Sequence, residues 1–124
     1  LLKLKVEETM MKFYTLTQNN VSGYLYQNNN VDQFIIVEAV SSSHAIAILP
    51  DIIDDYRDYC SCCGPRWYDD YLNDKDGEEE PMIYGEPIKS FNDSFWTKGS
   101  KAIVYYLDGR KRILNLEDKT EVWQ

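Results

Sequence analysis

Four consecutive apolar residues, Phe34-Ile35-Ile36-Val37, constrain the fold of this chain more than any other feature. A strand with one wet face alternates apolar and polar side chains, whereas an unbroken apolar run has to be covered on both faces. The run therefore reads as a central strand, within a segment covering residues 31–39. Tyr24-Leu25-Tyr26 precedes it across Asn28-Asn29-Asn30, a run that tolerates the left-handed backbone of a hairpin turn, so the two segments are expected to pair. Lys12-Phe13-Tyr14-Thr15-Leu16-Thr17-Gln18 reads as a further strand from its aromatic and β-branched content. Residues 102–107 and 110–116 flank Asp108-Gly109, the strongest hairpin signal in the chain. Met82-Ile83-Tyr84 is a short strand candidate that ends at Gly85-Glu86-Pro87.

The 3.6-residue period appears once. Ala45, Ile46, Ile48, Leu49, Ile52 and Ile53 lie on one face of an amphipathic helix, and Ser41-Ser42-Ser43 supplies its N-cap. Pro50 predicts a break near Leu49, because its ring and missing N–H interrupt the helical ladder. Together these elements define an α+β fold: an antiparallel sheet of about five strands with one helix packed on a face, and a long acidic Cys/Trp loop at one end. At 124 residues the chain is long enough for one domain with a real core. Residues 11–124 are taken as that domain. Residues 1–10 are taken as an N-terminal extension, since Met10-Met11-Lys12 reads as a natural start.

Residues 54–81 show no sustained period, and loops of that length inside a compact domain are functional or disordered. Their density of Tyr, Trp and Cys argues against disorder. The segment also holds the charge: residues 51–80 contain eleven acids and three bases, a local net of −8, and the rest of the chain is neutral overall. A formal charge of −8 argues against nonspecific nucleic-acid binding, which needs a basic face to displace counterions. Anionic membrane surfaces are disfavoured on the same ground, and no apolar run approaches spanning length. All three cysteines sit in one turn, which is no disulfide framework and suits a reducing, cytoplasmic setting.

That turn reads Cys60-Ser61-Cys62-Cys63-Gly64-Pro65-Arg66-Trp67. Cys60-x-x-Cys63-Gly64 has the spacing of a zinc knuckle, with Cys62 as a third ligand and His44, the sole histidine, as a candidate fourth. A possible structural zinc stands against a tight turn of inert thiols. Arg66-Trp67 is the stronger candidate for ligand contact, because a guanidinium can clamp phosphate while an indole stacks on a base. Arg57 joins Arg66 as a cation within the acidic stretch. The competing reading has both arginines neutralise Asp54, Asp55, Asp58 and Asp69, with Trp67 in the core. Arg110 and Arg112 share a strand face by alternation and could meet an anionic ligand. Asp74-Lys75-Asp76-Gly77-Glu78 falls short of a calcium loop. No nucleophile has a plausible paired base and one histidine narrows acid–base chemistry, so no enzyme is expected.

Three separated motifs carry a resemblance. The N-terminal Met11-Lys12-Phe13-Tyr14-Thr15-Leu16-Thr17-Gln18-Asn19-Asn20, the cysteine turn with Arg66-Trp67, and Glu80-Pro81-x-Ile83-Tyr84-Gly85-Glu86-Pro87 resemble a family of small phage and prophage proteins of unassigned function. Ser61 departs from it, since the family often has Pro there. The resemblance implies a phage setting in a host cytoplasm, where small acidic accessory proteins blunt host defence. Two functions follow as expectations. One is a homo-oligomeric binder that sequesters a nucleotide-derived immune signal without cleaving it; Arg57 and Arg66 would hold phosphate, Trp67 and Tyr84 would stack, and Asn92 or Arg110 would complete the site. The other is an acidic inhibitor that binds a host protein handling nucleic acid.

Overall fold

The computed structural model describes residues 11–20, 23–92 and 98–124. The extension expected at residues 1–10 lies outside them. Five strands form the main sheet: β1 (Lys12–Thr17), β2 (Phe34–Ala39), β7 (Lys101–Tyr105), β8 (Lys111–Asn115) and β9 (Glu121–Trp123), in the order β1-β2-β7-β8-β9. Two short ribbons, β3 (Tyr59–Cys60) with β4 (Gly64–Pro65) and β5 (Met82–Ile83) with β6 (Glu86–Pro87), lie in the connection between β2 and β7.

β2 is the covered interior strand that its apolar run demands. Phe34, Ile35, Ile36 and Val37 are all fully buried. Alternation sends Ile35 and Val37 to one face and Phe34 and Ile36 to the other. On the first face they meet Tyr14, Leu16 and Ile103 beneath Ala45, Leu49, Ile53 and Trp67. On the second they meet Phe13, Val104 and Leu114 beneath Ile83, Ile88 and Phe91. The helix therefore covers only one side. Residues 83–91, which carry no helical period, cover the other.

Helix α1 (Ser42–Ile48) starts where the serines predict, with Ser41 Oγ accepting the His44 N–H at 3.1 Å. Pro50 then opens a separate short helix, α2 (Pro50–Ile53), where its missing N–H costs nothing. The chain turns at Leu49 as expected. The Asp108-Gly109 hairpin also forms: the Tyr106 N–H donates to the Arg110 carbonyl at 2.9 Å, and Gly109 adopts φ 96°.

Two expectations need correction. The sheet is mixed, because β2 and β7 run parallel, with Phe34 opposite Ala102 and Val37 opposite Tyr105. A parallel pair requires a long crossover, and residues 40–100 supply it. Residues 24–26 form no strand; β2 pairs with β1 instead, from Lys12 opposite Ala39 to Thr17 opposite Phe34. The asparagine run turns the chain differently, with Asn28 Oδ1 accepting the N–H groups of Asn30 at 2.7 Å and Val31 at 3.0 Å. The outer edge of β1 is closed by reciprocal bonds between Phe13 and Glu78, 2.8 and 2.9 Å long.

Ile36→Ala should cost about 2–5 kcal/mol in urea unfolding, the scale of a buried large-to-small change. Val122→Thr, on edge strand β9 where the valine is 57% exposed, should stay within about 0.5 kcal/mol.

Candidate functional site

The long acidic segment is pinned by one side chain. Arg66 is fully buried, and its guanidinium meets Asp58 in a two-pronged pair, Nε to Oδ1 at 2.8 Å and Nη2 to Oδ2 at 2.9 Å. Its remaining nitrogen, Nη1, donates to the Tyr24 carbonyl at 2.6 Å, the Gln18 Oε1 at 3.2 Å and the Asn19 carbonyl at 3.3 Å. The rings of Tyr24 and Tyr26 lie against the guanidinium, with Cζ 4.8 and 4.6 Å from their centroids. Tyr24 and Tyr26 are thus spent on cation–π contacts rather than on a strand. The Arg66 hydrogen bonds hold the Asp58 carboxyl below the usual carboxylate range.

The neighbouring candidates are also engaged internally. Arg57 pairs with Asp54 at 2.7 Å and grips Asp69 with both terminal nitrogens at 3.1 and 2.8 Å. These hydrogen bonds, Asp69's first, strengthen the hold of Arg57 on its proton. Trp67 is buried in the core and its Nε1–H donates to the Tyr56 carbonyl at 3.1 Å. Arg66 and Trp67 are thus committed to internal partners, as the self-neutralising alternative has it for both arginines, and with Arg57, Asp58, Tyr59 and Pro65 they also border a cavity of about 300 Å³.

The other expected ligand residues do not converge with this pair. Tyr84 is 72% exposed at the tip of the β5–β6 hairpin, where Tyr84 and Gly85 take φ 51° and 81° to close a two-residue turn. The left-handed backbone is strained for tyrosine. An edge-on contact of its ring with Phe34 at 5.9 Å and a tilted one with Phe91 at 6.0 Å accompany it. Arg110 sits at the far hairpin, bonded to Asp108 at 2.9 Å and lying over Tyr106, which itself stacks on Trp123. Asn92 is exposed beside the undescribed residues 93–97.

The cysteine turn tops the β3–β4 ribbon. The Cys62 Sγ lies 3.0 Å from that of Cys60 and 3.4 Å from that of Cys63, and all three sulfurs fall within 4.8 Å of one another, close enough to hold a metal. Hydrogen bonds from the Cys62 thiol, then from the Cys62 backbone and Cys63, pull the Cys60 thiol down to about 7. The same contacts push Cys62 up to about 11. Gly64 closes the turn at φ 86°, and a Cβ there would lie 2.3 Å from the Tyr68 hydroxyl, so only glycine fits. His44 is not among the grouped ligands; its Nδ1 accepts the Val40 N–H at 3.1 Å and closes the turn before α1.

Sequence reasoning missed a groove of about 430 Å³, beside β1, bordered by Thr15, Thr17, Tyr68, Tyr71, Lys75 and Tyr84. Tyr71 is 76% exposed. Asp76 and Glu78 line the same groove. The clustering of tyrosines at 68, 71 and 84 was the available signal, but their convergence depends on the fold. Of the eleven acids in residues 51–80, Asp54, Asp58, Asp69 and Glu79 make ion pairs among the described residues. Asp51, Asp55, Asp70, Asp74, Asp76, Glu78 and Glu80 make none there. The segment's arginines are consumed, and its net negative field is left facing out.

Fold and site together define a small α+β domain that carries an acidic, tyrosine-lined face on a long crossover. Residues 11–121 match the family model described as a domain of unknown function (DUF7296), and the chain belongs to that family. No curated protein and no solved structure matches it. Among the described residues, no helix is long and apolar enough to cross a membrane.

Removing Asp58 leaves a buried, uncompensated guanidinium, so Asp58→Ala should cost about 3–5 kcal/mol in urea unfolding. Arg66→Met should cost less, because the freed carboxylate can reach water. Asp58 has a folded pKa below its unfolded value. Its stabilisation is therefore complete above the unfolded value, near 4, and is lost as pH falls through the folded one. Acid titration of unfolding should show a shallower loss in Asp58→Asn than in the wild type.

Proposed function

We propose that the chain is a non-enzymatic binding protein that docks a basic surface of a partner protein onto its acidic, tyrosine-lined face. One observation carries this reading: the segment's two arginines are paired within the chain while seven of its acids make no ion pair among the described residues, and two of those acids, Asp76 and Glu78, line a groove edged by exposed tyrosines. Aromatic rings supply contact area at low entropic cost, and rim charges steer encounter and select the partner. In the phage setting that the motifs imply, the partner is a host protein that handles nucleic acid, and docking blunts host defence. A zinc ion on the cysteine turn would be held by Cys60, Cys62 and Cys63.

Sequestration of a nucleotide-derived signal is the second reading, favoured by the exposed rings of Tyr71 and Tyr84 in one groove with Lys75. It has lost Arg66 and Trp67 to the interior, and the acids that line the groove repel phosphate.

Affinity capture from host extract with three baits separates the readings: wild type, a Tyr71→Ala/Tyr84→Ala variant, and an Asp55→Asn/Asp70→Asn/Asp76→Asn variant. Docking predicts a partner held by the wild type, weakened about 5- to 30-fold by loss of the two rings, with affinity falling as salt rises. The charge variant should slow association more than it speeds dissociation. Native mass spectrometry of gently purified protein supplies the other arm. Added mass of nucleotide size, with capture unchanged in both variants, would sink docking and leave sequestration.

A further inference from the structure

The cysteine turn is exposed, fixed and incomplete as a tetrahedral site. Zn–S bonds of ~2.3 Å place the sulfurs of a tetrahedral site ~3.8 Å apart. The three thiols, 3.0 and 3.4 Å between neighbours and all within 4.8 Å, reach that spacing with small rotamer shifts. Their backbone is already held. Asn19 Nδ2 donates to the Cys63 carbonyl at 2.7 Å and to the Pro65 carbonyl at 3.0 Å, and the Tyr68 hydroxyl bonds the Cys63 carbonyl at 3.4 Å. At the base of the ribbon, the Arg66 N–H donates to the Asp58 carbonyl at 3.0 Å, and the Asn19 N–H to the Arg66 carbonyl at 2.9 Å. Ligands preorganised by such outer contacts lose little entropy when an ion arrives.

The coordination sphere has no fourth member. Among the described residues, the three cysteines group with no histidine or carboxylate. Cys62 and Cys63 are exposed and Cys60 is half-buried, so one side of the sulfur triangle faces solvent. A closed structural site would bury that side behind a fourth ligand.

We infer that Cys60, Cys62 and Cys63 form an open three-thiolate site for a thiophilic divalent ion of the zinc class, whose fourth position is filled by a donor from outside the chain. Binding transfers the thiol protons to the buffer and leaves the ion exchangeable at the surface. Tyr68 joins this turn to the tyrosine groove, since its hydroxyl contacts the Cys63 carbonyl while its ring edges the groove. The site does not depend on the docking reading, and it is tested without a partner.

Co²⁺ is the probe, titrated anaerobically into the reduced full chain, because its visible spectrum reports geometry and donor set. The expected result is one Co²⁺ per chain with tetrahedral bands and sulfur charge transfer, displaced by Zn²⁺. Added imidazole should then shift the bands, as an outside donor takes the open position. Cys62→Ser, at an exposed position, should keep the wild-type urea midpoint while weakening Co²⁺ binding by at least ~10-fold, the scale at which even outer partners of a metal act. His44→Ala should leave the cobalt spectrum unchanged. Absence of tetrahedral binding, or Cys62→Ser binding that equals wild type, would overturn the site. A spectrum indifferent to imidazole would overturn the open position.

Discussion

The buried pair of Arg66 and Asp58 is the interaction on which the rest of the functional region depends. Every nitrogen of the guanidinium finds an acceptor, and two tyrosine rings lie against it. Burying a guanidinium without this set would cost several kcal/mol, and an apolar side chain could fill the volume more cheaply. What the arginine supplies is connection. Its partners come from the strand end at Gln18 and Asn19, from the loop at Tyr24, and from Asp58 on the far side of both helices. One side chain thereby joins three segments that no hairpin or helix links. The planar fork is essential to that geometry; a lysine has the charge but cannot address a carboxylate and two carbonyl groups in fixed directions.

The order of the acidic segment follows from the same economy. Eleven acids in thirty residues repel one another, and a free loop of that composition would stay expanded. Four residues anchor it inward: Ile53, Arg66, Trp67 and Asp69 are buried. Arg57 ties Asp69 to Asp54, so the two 3₁₀ turns at Asp54–Tyr56 and Asp69–Tyr71 are held against each other. Farther along, Asn73 and Asp76 form a reciprocal cap around the 3₁₀ turn at Asp74–Asp76, and Asp74 accepts the Ser42 N–H at the start of α1. Acids are thus used as local hydrogen-bond acceptors wherever they can be, and the remainder face solvent.

Much of the scaffold was legible because local chemistry decides it. The unbroken run at 34–37, the Ser41 cap, the Pro50 break and the Asp108-Gly109 turn each have one physically reasonable outcome. The β2–β7 pairing does not, since the partners, Phe34 and Ala102 among them, lie nearly seventy residues apart and either direction satisfies the apolar pattern. Tyr24-Leu25-Tyr26 misled for a related reason. Aromatic alternation suits a strand, but the same rings also suit a cation, and the arginine that claims them is forty residues away. Arg66 is the most ambiguous residue in the sequence. An arginine beside a tryptophan and several aspartates serves equally as a ligand clamp or as an internal tie, and only burial distinguishes them. The second cover of the sheet, from Ile83 to Phe91, was legible only at its start, where Met82-Ile83-Tyr84 reads as a short strand; nothing in its period shows that Ile88 and Phe91 pack onto the sheet.

The disposition of the cations bears on function. Arg66 is enclosed, and Arg57, though exposed, is paired with Asp54 and Asp69, so both cations are neutralised within the segment they order. Near neutral pH an acidic face attracts cations over roughly a Debye length, ~8–10 Å, well beyond side-chain contact. Tyr84 is consistent with selection for display: its backbone takes a left-handed conformation that glycine or asparagine would adopt with less strain. The ring nevertheless stands at the groove, 72% exposed, on a turn that sets it against Phe34 and Phe91. A solubility device needs charge but no strained aromatic at its centre; a docking face uses both.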